Sequence, residues 1–133
     1  MILSKLFKLK ISSLATLLAA SVVLLGLGHP VLLFELPGGL PFGNLLVAVI
    51  FCLPPLMAIA LSRAGTSVRY LSYASLVAGL AWLPISIGLA GNLNLNFQND
   101  GESWVLFTSF VAVLAVTTLV WATIDFLRQR RPA

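Results

Sequence analysis

Residues 103–124 read SWVLFTSFVAVLAVTTLVWATI and contain no charged side chain in 22 positions. A helix that crosses the hydrocarbon core of a bilayer needs about 20 such residues. Three further uncharged stretches, residues 11–34, 36–62 and 70–99, are 24, 27 and 30 residues long. Each stretch is long enough for one crossing and too short for two, since two crossings need about 40 residues. The sequence therefore predicts four membrane-spanning segments.

The composition excludes a soluble globular protein. Hydrophobic residues make up 59% of the 133-residue chain and charged residues only 9%, whereas about 25% of the residues of a soluble domain are charged. In lipid, backbone polar groups are satisfied only in helices or closed barrels. Residues 21–27 and 109–116 lack the period-two alternation of barrel strands. The spans are therefore predicted to be helices.

These observations predict an all-α integral membrane protein that forms a single membrane domain. Residues 1–10 form a basic amphipathic lead-in, and residues 91–102 form a polar outer loop. Short links favour an up-down-up-down antiparallel bundle of four transmembrane helices, over about residues 11–34, 42–62, 68–90 and 104–127. A cleaved signal peptide with a weak site at 19–21 is the alternative for the first span, but its apolar run exceeds the usual h-region of about 7–15 residues.

The basic residues predict the orientation of the bundle. All eight fall on one predicted side, namely Lys5, Lys8, Lys10, Arg63, Arg69, Arg128, Arg130 and Arg131. The positive-inside rule makes that side cytoplasmic and places both termini inside. Since no organelle-targeting peptide is visible, we expect a multi-pass protein of a bacterial inner membrane. Asp125, on the same side, is expected to pair with Arg128 across one helical turn.

The residues that carry chemistry are sparse. No ionisable Lys, Arg, Asp or Glu lies within the predicted hydrocarbon depth, and no phosphate loop, nucleophile–base pair or carboxylate pair is present. We therefore expect no catalytic activity, cofactor or metal site, and no binding of nucleic acid. His29 and Glu35 form one candidate titrating pair on the outer side. The single cysteine, Cys52, is predicted to be a small packing residue, so that Cys52→Ala is expected to be silent.

Proline and small polar residues coincide near the predicted midplane. Pro54-Pro55 is predicted to kink or break the second span, and Trp82 lies too deep for an interfacial belt, with an indole N–H that needs a partner. Carbonyls freed by proline are candidate partners, and kinked helices build binding sites in transporters. The candidate midplane pocket comprises Cys52, Pro54, Pro55, Gly79, Trp82, Pro84, Thr117 and Thr118. The alternative is ordinary packing around the kinks.

Three further features indicate surfaces. Small residues on the first helix, Ser12, Ala15, Thr16, Ala19 and Ala20, favour close approach of another helix. In the outer loop, amide side chains alternate with Leu93, Leu95 and Phe97, which predicts a partner-contact edge. Trp104 is predicted at the outer membrane interface.

Three functions are compatible with these features. The expected partners of the chain are the lipid bilayer and either another membrane protein or further copies of itself. The first function is an accessory, assembly or interaction subunit of a larger membrane complex. The second is a small channel or carrier for a neutral or lipid-like solute that uses the midplane pocket. The third is an immunity protein that blocks a pore-forming toxin within the membrane.

Overall fold

The computed structural model describes residues 2–90 and 102–131, with the side chains of residues 29, 89 and 90 excepted. It is all-helical, and no β-strand occurs in the described ranges. Five helices follow in chain order: α1 Ile2–Gly26, α2 His29–Leu32, α3 Phe42–Leu61, α4 Ser67–Ala90 and α5 Glu102–Arg130. All but α2 are long and apolar enough to cross a membrane. The prediction of an all-helical protein with four candidate membrane spans is confirmed.

The first helix differs from its predicted bounds at both ends. It begins at Ile2, so the basic lead-in is a continuation of α1. It ends at Gly26, because Gly28 has a φ of 82°, a conformation that interrupts a right-handed helix. Only the four residues of α2 are helical after that break. The observed helix α1 thus ends before the outer limit of the predicted first span, residues 11–34.

A tight turn joins α2 to α3. Gly39 N donates a 2.9 Å hydrogen bond to Leu36 O, and the intervening Gly38 has a φ of 95°. A positive φ at the third position, after a proline at the second, is the pattern of a type II turn. Phe42 N then donates to Phe34 O at 2.7 Å. The chain therefore reverses just before α3 begins.

Helix α3 is the centre of the bundle. Its sides pack against α1, α4 and α5, and α4 and α5 also pack against each other. Within the described ranges α1 packs against α3 and α2 only, apart from a ring contact between Phe7 and Phe126 of α5. Half of the most apolar 18-residue segment of α3 is buried, whereas only 6% of the corresponding segment of α1 is buried. The fold is thus a compact three-helix unit with α1 attached to one side.

The faces of α4 and α5 that are buried in the bundle consist mainly of small residues. Buried positions on α4 are separated by four and three residues in alternation, at Val68, Ser72, Ser75, Gly79, Trp82 and Ser86. The same spacing relates the buried residues of α5 at Val111, Ala115, Thr118 and Ala122, and Trp104 lies seven residues before Val111. An alternating spacing of three and four keeps one narrow stripe against a neighbouring helix. Small residues in such a stripe let two backbones approach closely, which is the main source of helix association in lipid.

The two prolines of α3 do not end the helix. Pro54 and Pro55 are both buried, and α3 continues through them to Leu61. The sequence predicts a kink or a break at this point, and a break does not occur. Proline has no N–H, so the carbonyl of Phe51 cannot be bonded by Pro55, four residues later.

Candidate functional site

The best-defined polar arrangement inside the bundle joins two tryptophans to two hydroxyls, and we call it the Trp82–Trp104 cluster. The indole Nε1 of Trp82, on α4, donates a 3.0 Å hydrogen bond to Thr108 Oγ1 on α5. The indole Nε1 of Trp104, on α5, donates to Ser86 Oγ on α4. Each helix thus supplies one indole donor and one hydroxyl acceptor. Trp82 and Ser86 are four residues apart on α4, and Trp104 and Thr108 are four residues apart on α5. The four side chains therefore share one interface.

The cluster is also the aromatic core of the bundle. Trp82 is fully buried and Trp104 is 2% exposed. The Phe51 ring stands edge-on to Trp82, with centroids 5.3 Å apart at an interplanar angle of 82°. The two tryptophan rings are 6.4 Å apart and also T-shaped. Such geometries are favoured between aromatic rings and add to the energy of burial.

Gly79 marks a close approach of α4 to α3. A Cβ atom at this position would lie 2.9 Å from the carbonyl oxygen of Phe51 and 3.2 Å from Cys52 Sγ. The first distance is too short for any real contact, so only glycine fits without a shift of the backbones. The carbonyl concerned is the one that Pro55 leaves without its helical hydrogen bond. The close contact of Gly79 is therefore with the carbonyl group that the proline leaves free.

An apolar depression, the lateral groove, opens beside this contact. Its volume is about 380 Å³, and α1, α3 and α4 all contribute to it. Its lining is almost entirely hydrocarbon, with the Cys52 thiol as the one sulfur group; the lining side chains are Leu17, Leu45, Ala48, Val49, Cys52, Leu53, Leu56, Leu80 and Leu83, around Gly79. The groove has the chemistry to accept an apolar chain, and no charged side chain lines it.

The eight residues of the predicted midplane pocket occupy different surroundings. Cys52 and Gly79 line the lateral groove, while Trp82 belongs to the core. Pro54 and Pro55 are buried within α3, whereas Pro84 is exposed. Of the two threonines, Thr117 lines a separate depression on α5, and Thr118 is buried with its hydroxyl bonded to Ala115 O at 2.9 Å. Only the first two therefore share a cavity.

The partner of Trp82 differs from the one expected. Carbonyls freed by proline were the predicted acceptors, but the indole N–H is bonded to the Thr108 hydroxyl. Sequence reasoning missed both Thr108 and Ser86. A signal for them is present, since Trp82 and Ser86, and equally Trp104 and Thr108, recur at the four-residue spacing of one helix face.

The structure shows the surroundings of two predicted surface features. Trp104, predicted at the outer membrane interface, is buried, and its ring and N–H both contact α4. The small residues of α1, Ser12, Ala15, Thr16, Ala19 and Ala20, are all exposed. The packed small-residue face of the bundle lies on α4 instead.

The remaining predicted residues lie at the ends of the helices or outside the described part. Leu93, Leu95 and Phe97 are outside the described residues, as is the side chain of His29; Glu35 is exposed. The predicted ion pair between Asp125 and Arg128 is replaced by a 2.9 Å hydrogen bond from Gln129 Nε2 to Asp125 Oδ2. The shift from the third to the fourth residue along keeps the partner on the same helix face.

Metal-ligating side chains do not converge in the described ranges, where no group of three or more His, Cys, Asp or Glu could hold an ion. The polar groups of the interior bond to one another or to the backbone of their own helix, as Ser72 Oγ does to Val68 O. Ser75 Oγ is an exception, since it is buried without a hydrogen-bond partner among the described atoms. Comparisons with protein families, with curated proteins and with solved structures found no match to this chain.

Proposed function

We propose that this chain is a non-catalytic protein of the bacterial inner membrane that serves as an accessory, assembly or interaction subunit of a larger membrane complex. In this proposal the four long helices alternate in direction, with both termini in the cytoplasm. The order of contacts supports the alternation: a step of four residues forward along α4, from Trp82 to Ser86, corresponds to a step of four back along α5. The positive-inside rule supports the orientation.

The observation that carries the proposal is the exposure of α1. This helix is attached to one side of the bundle, and only 6% of its most apolar 18-residue segment is buried. Its small residues, including Ala15 and Ala19, face away from α3. In lipid, helices associate through close packing of small residues, since there is no hydrophobic driving force between them. Helix α1 thus offers a packing surface suited to a helix of another membrane protein.

The interior of the bundle is consistent with a subunit that acts through its surfaces. Large aromatic rings fill the space between α3, α4 and α5. Charged residues in the described ranges lie near helix ends or in links, whereas ion-coupled carriers place ionisable groups within the membrane. These features favour an interaction protein over a coupled transporter.

Purification from native membranes tests the proposal. The full chain, tagged at its C-terminus, would be extracted in a mild detergent, and proteins recovered in fixed stoichiometry would be identified. We expect Ala19→Leu, which places a large side chain on the exposed face of α1, to remove the partner. Ala74→Leu, at an exposed alanine of α4, is the matched control and should retain it. Equal recovery of the partner with both variants would refute the role of α1.

The outer loop supplies a second contact in this proposal. Substitution of Leu93, Leu95 and Phe97 by serine is expected to weaken the complex without unfolding the bundle. A pore-forming toxin as the recovered partner would identify the chain as an immunity protein. Recovery of a lone monomer or homo-oligomer would count against the subunit proposal.

The lateral groove supports one alternative, a carrier or channel for a neutral or lipid-like solute. Its apolar lining and its position beside the contact between Gly79 and the Phe51 carbonyl fit an apolar ligand. In liposomes, Pro54→Ala/Pro55→Ala is expected to abolish flux of such a solute while leaving expression intact, because it restores the helical hydrogen bonds of α3. Unchanged flux in this variant would remove the midplane site from consideration.

A further inference from the structure

A second groove, which we call the basic groove, lies where α1, α3 and α5 meet at the end of the bundle that carries the basic residues. Its volume is about 270 Å³. Its apolar wall is formed by side chains of all three helices, namely Phe7, Ile11, Leu61 and Phe126. The polar lining consists of Ser12 and Lys8 from α1 and Arg130 from α5. The groove therefore combines a hydrocarbon wall with two cations that come from opposite ends of the sequence.

Aromatic contacts position Arg130 at the groove and join the two helices that carry the cations. The rings of Phe7 and Phe126 lie 5.8 Å apart and join α1 to α5. The guanidinium carbon of Arg130 lies 4.3 Å from the centroid of the Phe126 ring, close enough for a cation–π interaction. Arginine stacked in this way keeps its N–H groups available at the edge of the plane, where they can bond phosphate oxygens.

The positive charge of the groove is not neutralised by the described part of the protein. Neither Lys8 nor Arg130 forms an ion pair with a described carboxylate. Asp125, the acidic residue nearest in sequence to Arg130, accepts its hydrogen bond from Gln129. The groove thus lacks an anion of its own, although two cations border it.

We propose that the basic groove binds an anionic phospholipid. The headgroup phosphate lies between Lys8 and Arg130, and the upper part of an acyl chain packs against Ile11 and Leu61. Basic pockets between transmembrane helices recognise anionic lipid headgroups, and each Lys or Arg near such a surface adds about 1 kcal/mol. A bound lipid would join α1 to α5, which otherwise touch through the Phe7–Phe126 pair. This proposal is independent of the subunit function.

Lipid titration of the purified full-length chain, followed by native mass spectrometry, tests the proposal. The probes are dioleoyl phosphatidylglycerol, which is anionic, dioleoyl phosphatidylcholine, which is zwitterionic, and soluble glycerol phosphate. We expect saturable binding of one phosphatidylglycerol. Lys8→Gln/Arg130→Gln should weaken it roughly thirtyfold, since each lost charge corresponds to about a fivefold change. Equal binding of phosphatidylcholine, or equally tight binding of glycerol phosphate, would overturn the assignment to an anionic lipid.

Lys5→Gln/Arg131→Gln is the matched control, since it also removes one lysine and one arginine charge, but from exposed positions outside the groove. It should bind phosphatidylglycerol as the unmodified chain does. An equal loss in both double variants would overturn the proposal in favour of diffuse electrostatic attraction. If the groove variant lowers Tm, the charge-preserving Lys8→Arg/Arg130→Lys provides the second measurement. It should retain binding to within a few-fold, and loss of binding there would also overturn the proposal.

Discussion

The contact between Gly79 and the Phe51 carbonyl makes a sharp prediction about stability. In Gly79→Ala the new Cβ would lie 2.9 Å from the carbonyl oxygen, whereas ordinary contact begins at 3.4 Å. Helices α3 and α4 must then separate by about half an ångström, as the difference between these distances requires. The obstacle is backbone, so no side-chain rotation relieves it. Overpacking of this kind costs about 1–3 kcal/mol.

Helix propensity opposes this cost. Replacing glycine by alanine within a helix gains about 1 kcal/mol, so the net destabilisation of Gly79→Ala is expected to be about 0–2 kcal/mol. Gly88→Ala separates the two effects. Gly88 lies in the same helix, and an added Cβ would meet nothing within 4 Å. This control should gain the propensity without the overpacking, so we expect Gly79→Ala to be less stable than Gly88→Ala by about 1–3 kcal/mol.

The assay is reversible unfolding in mixed micelles, with increasing sodium dodecyl sulfate and detection by circular dichroism. Both variants and the unmodified chain would be measured under the same conditions. Free energies of unfolding for the two alanine variants within about 0.5 kcal/mol of each other, the usual range for neutral surface changes, would refute the close approach of α4 to α3.

Three further outcomes are expected. Thr108→Val leaves the buried Trp82 N–H without its acceptor and should lower the free energy of unfolding by about 1 kcal/mol. A double-mutant cycle with Trp82→Phe should show coupling between the two positions. Additive effects of the two substitutions would contradict the hydrogen bond. Ser75→Ala removes a buried hydroxyl that has no partner among the described atoms and should be neutral or stabilising in the same unfolding assay; a loss above about 1 kcal/mol would show that the hydroxyl is bonded. In a chain whose native cysteine is alanine, Ser103→Cys should react with a membrane-impermeant maleimide added to intact cells, and Ser4→Cys only after lysis; the reverse pattern would contradict the proposed orientation.

Much of the fold could be predicted from local sequence. Uncharged stretches of the required length predict spans wherever they occur, because the cost of burying charge in lipid does not depend on neighbouring helices. The turn at Leu36 was equally predictable, since Pro37 and Gly38 have the backbone preferences that a type II turn needs. Both features depend on residues close together in the chain.

The candidate site could be predicted only in part, because its geometry depends on which helix faces which. Composition alone indicates that small residues on α1 and on α4 are equally suitable for close packing, yet the structure buries several of those on α4, such as Ser72 and Ser75, and exposes those predicted to pack on α1. Similarly, an indole N–H near mid-membrane requires a partner, but several hydroxyls and carbonyls could supply it. Thr108 accepts the hydrogen bond because α5 lies against that side of α4.

By itself, the sequence indicated a lipid environment and determined the number of candidate spans and the positions of the charges. The reason is that hydrophobic transfer and backbone preference act residue by residue. The tertiary structure alone decided that Gly79 meets the Phe51 carbonyl, that Trp82 and Trp104 each donate a hydrogen bond to the opposite helix, and that Lys8 and Arg130 border one groove. These contacts join residues far apart in the chain. Their selection depends on the rotation and register of whole helices, and those follow from the packing of all side chains together.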